Sequence, residues 1–201
     1  MVNISSICVF CGSSNGRNPT YVAAAERLGA DMAQAGIRLV YGGGSIGLMG
    51  AVARSVLANG GDVTGIIPEF LVRREIMLDG VTDFHVVPDM HTRKRMMFER
   101  ADAFVALPGG IGTLEEVVEQ MTWAQLGRHH KPIVLADIDG FWAPLMDLLS
   151  HMSEEAFIRQ GYEVKFQVAK TAEEIVPTVL GTAETISHAA LVGDAGAIAK
   201  L

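Results

Sequence analysis

The chain has 201 residues, enough for one domain with a substantial core. Hydrophobic residues make up 49% and charged residues 19%, a globular balance that excludes a disordered chain. A formal net charge of −7 argues against a nonspecific nucleic-acid binder. No apolar run reaches the roughly 18 residues of a membrane span, and the first residues lack the basic flank and apolar centre of a signal peptide, so the cytoplasm is the expected compartment.

Short β-branched runs alternate with amphipathic stretches along nearly the whole sequence. In chain order, the patterning predicts a strand over 4–11, a helix over 19–34, a strand over 37–41 and a helix over 47–58. Strands over 62–67 and 83–87 follow, then a helix over 90–100, a strand over 103–107 and a helix over 113–126. A strand over 132–136, a helix over 141–152, a strand over 163–168 and a helix over 172–180 complete the series. Asn18 before Pro19 marks the first helix start, with the asparagine as N-cap. This rhythm specifies a doubly wound, Rossmann-like α/β domain over residues 1–180, a mainly parallel sheet with helices on both faces. Residues 181–201, rich in Ala, Gly and Thr with weak periodicity, read as a C-terminal tail.

Cys8 and Cys11 form a nominal C-x-x-C. Cys8 lies in an apolar strand run, and residues three apart on a strand face opposite ways, so the thiols are expected to diverge. With no second pair there is no zinc set.

Three strand-to-helix loops carry small residues: Gly12-Ser13-Ser14-Asn15-Gly16, Gly42-Gly43-Gly44-Ser45-Ile46-Gly47 and Pro108-Gly109-Gly110-Ile111-Gly112-Thr113. In a doubly wound sheet they gather on one edge, where ligands bind. A glycine loop opening a helix presents backbone N–H groups at the positive end of the helix dipole, an arrangement suited to a phosphate. The Gly42, Gly44, Gly47 spacing also matches a dinucleotide fingerprint, but it follows the second strand and Glu69 comes late after a proline.

The third loop adds carboxylates where a pure phosphate site would not want them. Thr113-Leu114-Glu115-Glu116 fits a capping box, with Thr113 as N-cap and Glu116 reaching back. It equally fits a site in which Thr113 and the glycine amides hold a phosphate while Glu116 faces the ligand. Spacing leaves both roles open. Glu119, one turn later, and His91 read as solvated or structural. Arg93 and Lys94 lie on the helix before the motif strand, where an arginine can meet a phosphate in two-point geometry.

Together these motifs resemble the LOG (Lonely Guy) family of cytokinin riboside 5′-monophosphate phosphoribohydrolases. The family signature P-G-G-x-G-T-x-x-E falls on Pro108 to Glu116 without a gap, and the M-H-x-R-K element on Met90 to Lys94. The Y-G-G-G-x-x-G-L-M-G loop falls on Tyr41 to Gly50, and C-G-S-S on Cys11 to Ser14. The resemblance spans roughly residues 4–180. It implies hydrolysis of the N-glycosidic bond of a purine nucleoside 5′-monophosphate, AMP included, to free base and ribose 5-phosphate. Arg93 and Glu116 become the catalytic pair. Gly109, Gly110, Gly112 and Thr113, with Gly43, Gly44, Ser13 and Lys94, become the phosphate and sugar contacts. Met90 and Glu75 fall at the base pocket, where 68–77 follows the family pattern only loosely. The resemblance further implies a homodimer with the site near its interface, and neither metal nor cofactor. Two rivals remain: a non-catalytic nucleotide or molybdenum-cofactor carrier on the same fold, and a dinucleotide enzyme using the Gly42 loop.

Overall fold

Runs such as Ser6–Phe10 and Ile133–Ala136 are buried along their whole length, as strands must be when helices cover both faces of a sheet. The computed structural model describes residues 4–72 and 78–192. Seven strands are β1 (Ser6–Phe10), β2 (Arg38–Tyr41), β3 (Val63–Pro68), β4 (Asp83–Val87), β5 (Ala103–Ala106), β6 (Ile133–Ala136) and β7 (Gln167–Ala169). They form one sheet in the order β4-β3-β2-β1-β5-β6-β7, and every neighbouring pair is parallel. The helices are α1 (Thr20–Gln34), α2 (Gly47–Ala58), α3 (Glu69–Val72), α4 (Met90–Arg100), α5 (Ile111–Gln125), α6 (Ala143–Glu154) and α7 (Ala172–Val192).

Alternation along the strands divides the core in two. Ile7, Val9 and Leu39 face Leu28, Val52 and Ile175 of α1, α2 and α7. Cys8, Phe10 and Phe104 face Met97 and Val117 of α4 and α5, with Trp142 before α6. Cys8 and Cys11 fall in opposite cores and neither forms a disulfide, as their strand spacing requires.

Helix α1 begins at Thr20 with Pro19 at the N-cap position, one residue after the expected Asn18, whose Oδ1 accepts from the Thr20 amide at 3.1 Å. Several bounds shift by one or two residues, the short helix α3 is not expected from the sequence pattern, and three differences matter most. Helix α5 starts at Ile111, two residues before Thr113. Strand β7 is confined to Gln167–Ala169, because β6 offers partners only from Val134 to Ala136. Helix α7 continues through 181–192. There the hydroxyls of Thr182, Thr185 and Ser187 bond back to the carbonyls of Thr178, Gly181 and Ala183, while Ala183 is buried.

The chain winds outward from β1 to β4, then crosses back to lay β5 on the other side of β1. This reversal is the position at which open parallel sheets bind ligands. It also carries α4 across the sheet, where it contacts β1, β2 and β3 and lies alongside the crevice.

Candidate active site

Helix α4 begins with a firm cap. Asp89 Oδ1 accepts from the Thr92 amide at 2.7 Å, and this bond holds the Asp89 carboxyl below its usual range. One residue later Arg93 turns inward and is buried. Its Nε donates to the Ile66 carbonyl at 3.2 Å, and its Nη1 lies 2.9 Å from Glu116 Oε1 and 3.3 Å from Met90 Sδ. The guanidinium passes directly over Gly42, where a Cβ would stand 2.3 Å from Nη2. Any side chain at this position would displace Arg93. Gly42 is therefore a site residue that the motif assignment passed over in favour of Gly43 and Gly44.

Helix α5 supplies the other half. Gly110 precedes its first turn, so the amides of Ile111, Gly112 and Thr113 have no intrahelical carbonyl to bond. They open onto the crevice at the positive end of the helix dipole. The N-terminus of α2 differs. There the amides of Leu48 and Met49 donate to the Gly12 carbonyl at 3.0 and 3.3 Å. Gly12 in turn donates its own N–H to the Pro108 carbonyl at 3.1 Å, clipping the first loop between the other two. The amides that a pyrophosphate would need on the Gly42 loop are thus already used, which weighs against the dinucleotide reading.

The start of α5 at Ile111 also removes one of the two roles open for Glu116. Thr113 sits inside the first turn, buried, with its hydroxyl turned towards Gly109 (a Cβ there would lie 2.2 Å from Oγ1). Thr113 is not an N-cap, so there is no capping box. Glu116 instead projects one turn further on and pairs with Arg93.

A cavity of about 380 Å³ opens between these elements. Arg93, Glu116 and Met90 line it together with Ser13, Gly110, Gly112 and Thr113, so most of the sequence-derived set is brought together. Cys11, Met49 and Leu71 add an apolar wall; the first two fall inside quoted motifs but were not among the expected site residues. A smaller hollow of about 190 Å³, walled by Tyr21, Phe141 and Gly109, meets the first at Gly12 and Gly110. Gly43 and Gly44 are buried away from the cavity, with Gly43 packed towards Ile67 and Phe84. Lys94 does not line it either: its Nζ lies 2.5 Å from Glu115 Oε1 and 2.9 Å from Glu119 Oε1. His91 is exposed outside the cavity. Glu75 lies outside the described residues.

Two effects compete at Glu116. Burial raises its carboxyl pKa, and the Arg93 charge lowers it; burial wins and the group titrates above the usual carboxylate range. Burial likewise pushes the Cys11 thiol far up, which removes it as a nucleophile near neutral pH. Among the described residues, no group of three or more His, Cys, Asp or Glu side chains could hold a metal ion. No described helix is long and apolar enough to cross a membrane. The cavity thus pairs the open amides of the α5 N-terminus with the Arg93–Glu116 ion pair about one helical turn along that helix, roughly 5 Å.

A family model described as "Possible lysine decarboxylase" matches residues 49–179. The cytokinin riboside 5′-monophosphate phosphoribohydrolase LOG of Oryza sativa subsp. japonica is 48% identical over 170 residues, 85% of this chain and 70% of that one. The chain belongs to the LOG family. Another relative, the Arabidopsis thaliana cytokinin riboside 5′-monophosphate phosphoribohydrolase LOG7, is 47% identical over 85% of this chain and 78% of its own length. Among solved structures, the molybdenum cofactor carrier protein of Chlamydomonas reinhardtii aligns with TM-score 0.67 over 90% of this chain and 99% of that one, at 20% identity. The molybdenum cofactor binding protein of Rippkaea orientalis aligns with TM-score 0.66 at 22% identity, covering 90% and 98%. These likenesses extend the LOG fold to the carriers and carry no function across.

Proposed function

We propose that this LOG-family chain is a phosphoribohydrolase that cleaves the N-glycosidic bond of cytokinin riboside 5′-monophosphates and of AMP. Water enters, and free base and ribose 5-phosphate leave. The observation that carries this reading is the Arg93–Glu116 pair, 2.9 Å apart, in the same cavity as the open N-terminus of α5. A non-catalytic carrier has no need of a buried carboxylate beside its phosphate cradle.

In this mechanism the amides of Ile111, Gly112 and Thr113, with the Thr113 hydroxyl, take the 5′-phosphate, and Ser13 closes the loop side. Binding energy gathered at the phosphate holds the sugar for reaction. Glu116 then faces C1′. As the bond to the base breaks, positive charge grows on the ribose ring, and the carboxylate stabilises it and orients the incoming water. Arg93 donates to Glu116 and to the sugar phosphate, keeping the carboxylate ionised although buried. Met90, Met49 and Leu71 offer an apolar wall to the base.

The same reading takes the working unit as a homodimer. Ile111, 82% exposed and lining the cavity, continues through Val118 to Leu126, just past the end of α5, as an outward run of apolar residues. The test is to incubate the protein with AMP and with isopentenyladenosine monophosphate and to measure free base and ribose 5-phosphate by chromatography. Tight nucleotide binding without base release from either would favour the carrier.

A further inference from the structure

The sequence motifs assign Lys94 to the phosphate, and the structure gives it other work. Lys94 follows Arg93 on α4, so the two cations leave the helix about 100° apart. Both reach α5, where their acceptors interleave: Glu116 takes Arg93, and Glu115 and Glu119, one turn apart, take Lys94. The Lys94 side chain is only 14% exposed, and both of its carboxylate contacts are within 3 Å, so its ammonium is committed between the helices. We propose that Lys94 is a positioning residue, a second rung beside Arg93–Glu116 that pins α4 to α5 and holds the catalytic pair in register. The proposal rests on the phosphoribohydrolase reading for its kinetic consequence but not for its electrostatic one.

The charges facing Glu116 make the consequence specific. Arg93 and Lys94 on α4 favour its ionised form, and Glu115 and Glu119 on its own helix oppose it. From β1 and the residue after it come the buried, protonated thiols of Cys8 and Cys11. Glu119 adds a buried Oε2 with no hydrogen-bond partner among the described residues, so Lys94 is the charge that offsets this carboxylate surplus. Without Lys94, two carboxylates repel Glu116 and α5 is free to shift from α4.

The experiment compares wild type with Lys94→Met, Lys94→Arg and Glu119→Gln. With AMP, Lys94→Met is expected to lower kcat by about 10- to 100-fold, the scale of a small misplacement of reacting groups, while KM stays within about threefold. The acidic limb of its pH profile moves to higher pH, and that of Glu119→Gln moves to lower pH. Lys94→Arg restores most of kcat. Independently of turnover, the ¹³C-labelled Glu116 carboxyl, assigned by its loss in Glu116→Gln, titrates higher in Lys94→Met than in wild type by NMR. A raised KM with unchanged kcat, together with weakened ribose 5-phosphate binding, would make Lys94 a phosphate ligand and overturn the proposal. So would an unmoved Glu116 titration. An inactive wild type with a displaced titration instead sinks the phosphoribohydrolase reading and leaves the electrostatic role of Lys94 standing.

Discussion

Arg93 and Glu116 meet at 2.9 Å from two helices joined by a complete strand, and the crossing between β4 and β5 makes the meeting possible. Neither residue has an apolar excuse for burial. Each is tolerated because the other is there, and the Ile66 carbonyl absorbs a further arginine N–H. The pair lies in the cavity that the N-terminus of α5 also lines.

Glu116→Gln preserves shape while removing the charge. It is expected to lower kcat/KM for AMP by about 10²- to 10⁴-fold, with a thermal unfolding midpoint close to that of wild type. Arg93→Ala should reach a similar loss of activity but cost up to about 3 kcal/mol in stability, because it leaves a buried carboxylate without its partner. Steady-state kinetics and differential scanning calorimetry separate the two; near-full turnover in Glu116→Gln would remove it from the mechanism.

The burial that raises the Glu116 pKa predicts where activity fails in acid. The mechanism needs the ionised form, so kcat/KM should fall as pH drops through the elevated folded-state pKa, above the ordinary carboxylate range. For stability the sign is opposite: the folded state holds this proton more tightly than the unfolded chain. Glu116 thus contributes stability below its unfolded pKa and loses it as pH rises through the folded one. A pH series of kinetics and melting curves on wild type and Glu116→Gln reads both.

Gly112 lies in the first turn of α5 and a Cβ there meets nothing within 4 Å. Alanine should fit and stabilise the helix by about 0.5–1 kcal/mol. It should also crowd a phosphate resting on the turn. The expected result is a higher melting temperature with a KM raised by about tenfold, equivalent to about 1.4 kcal/mol of lost binding. An unchanged KM would show that the phosphate does not sit there.

Gly42→Ala acts at a distance from the phosphate. Its Cβ would displace the Arg93 guanidinium, so kcat should approach that of Arg93→Ala. Affinity for ribose 5-phosphate, measured by isothermal titration calorimetry, should fall less than kcat does. Equal kinetics to wild type would mean that the arginine need not occupy its observed place.

His129 offers a stability prediction remote from the site. It is buried, with Nδ1 accepting from the Lys131 amide at 3.1 Å and Nε2 lying 3.2 Å from the Gln120 carbonyl. Burial pushes its pKa down from 6.5 to about 4. The unfolded chain therefore takes the proton first, and stability should decline as pH falls from about 6.5 towards 4. In His129→Gln, thermal melts across that range should show a shallower decline.

Much of this architecture was legible because local pattern and global fold agree. Strand-length apolar runs, glycine punctuation and the Pro108–Glu116 motif all point to one edge of a parallel sheet. What stayed hidden has physical causes. The start of α5 was misplaced because Gly112 is a poor helix former, and the pattern takes hold only at Thr113. The length of α7 was hidden by Thr and Ser residues, whose hydroxyls are satisfied inside the helix itself. Gly42 rather than Gly43 or Gly44 lies against the Arg93 guanidinium because side-chain approach, unlike glycine spacing, is a three-dimensional fact. Lys94 counts as a phosphate or sugar contact only through the family motif; the positions of Glu115 and Glu119 give its ammonium another destination.

The late joining of β5 to β1 has a consequence for how the molecule comes into being. Ile7 waits for Ala103, and Asp102 Oδ2 stitches that seam by accepting from the amides of Ser5 and Ser6 at 2.9 and 3.0 Å. Contacts this remote in sequence close slowly. Until they close, neither half of the cradle has its floor. During synthesis and refolding alike, the capacity to turn over a nucleotide should therefore emerge last, after most helical structure has formed. Recovery of turnover would then time the final docking step of this chain.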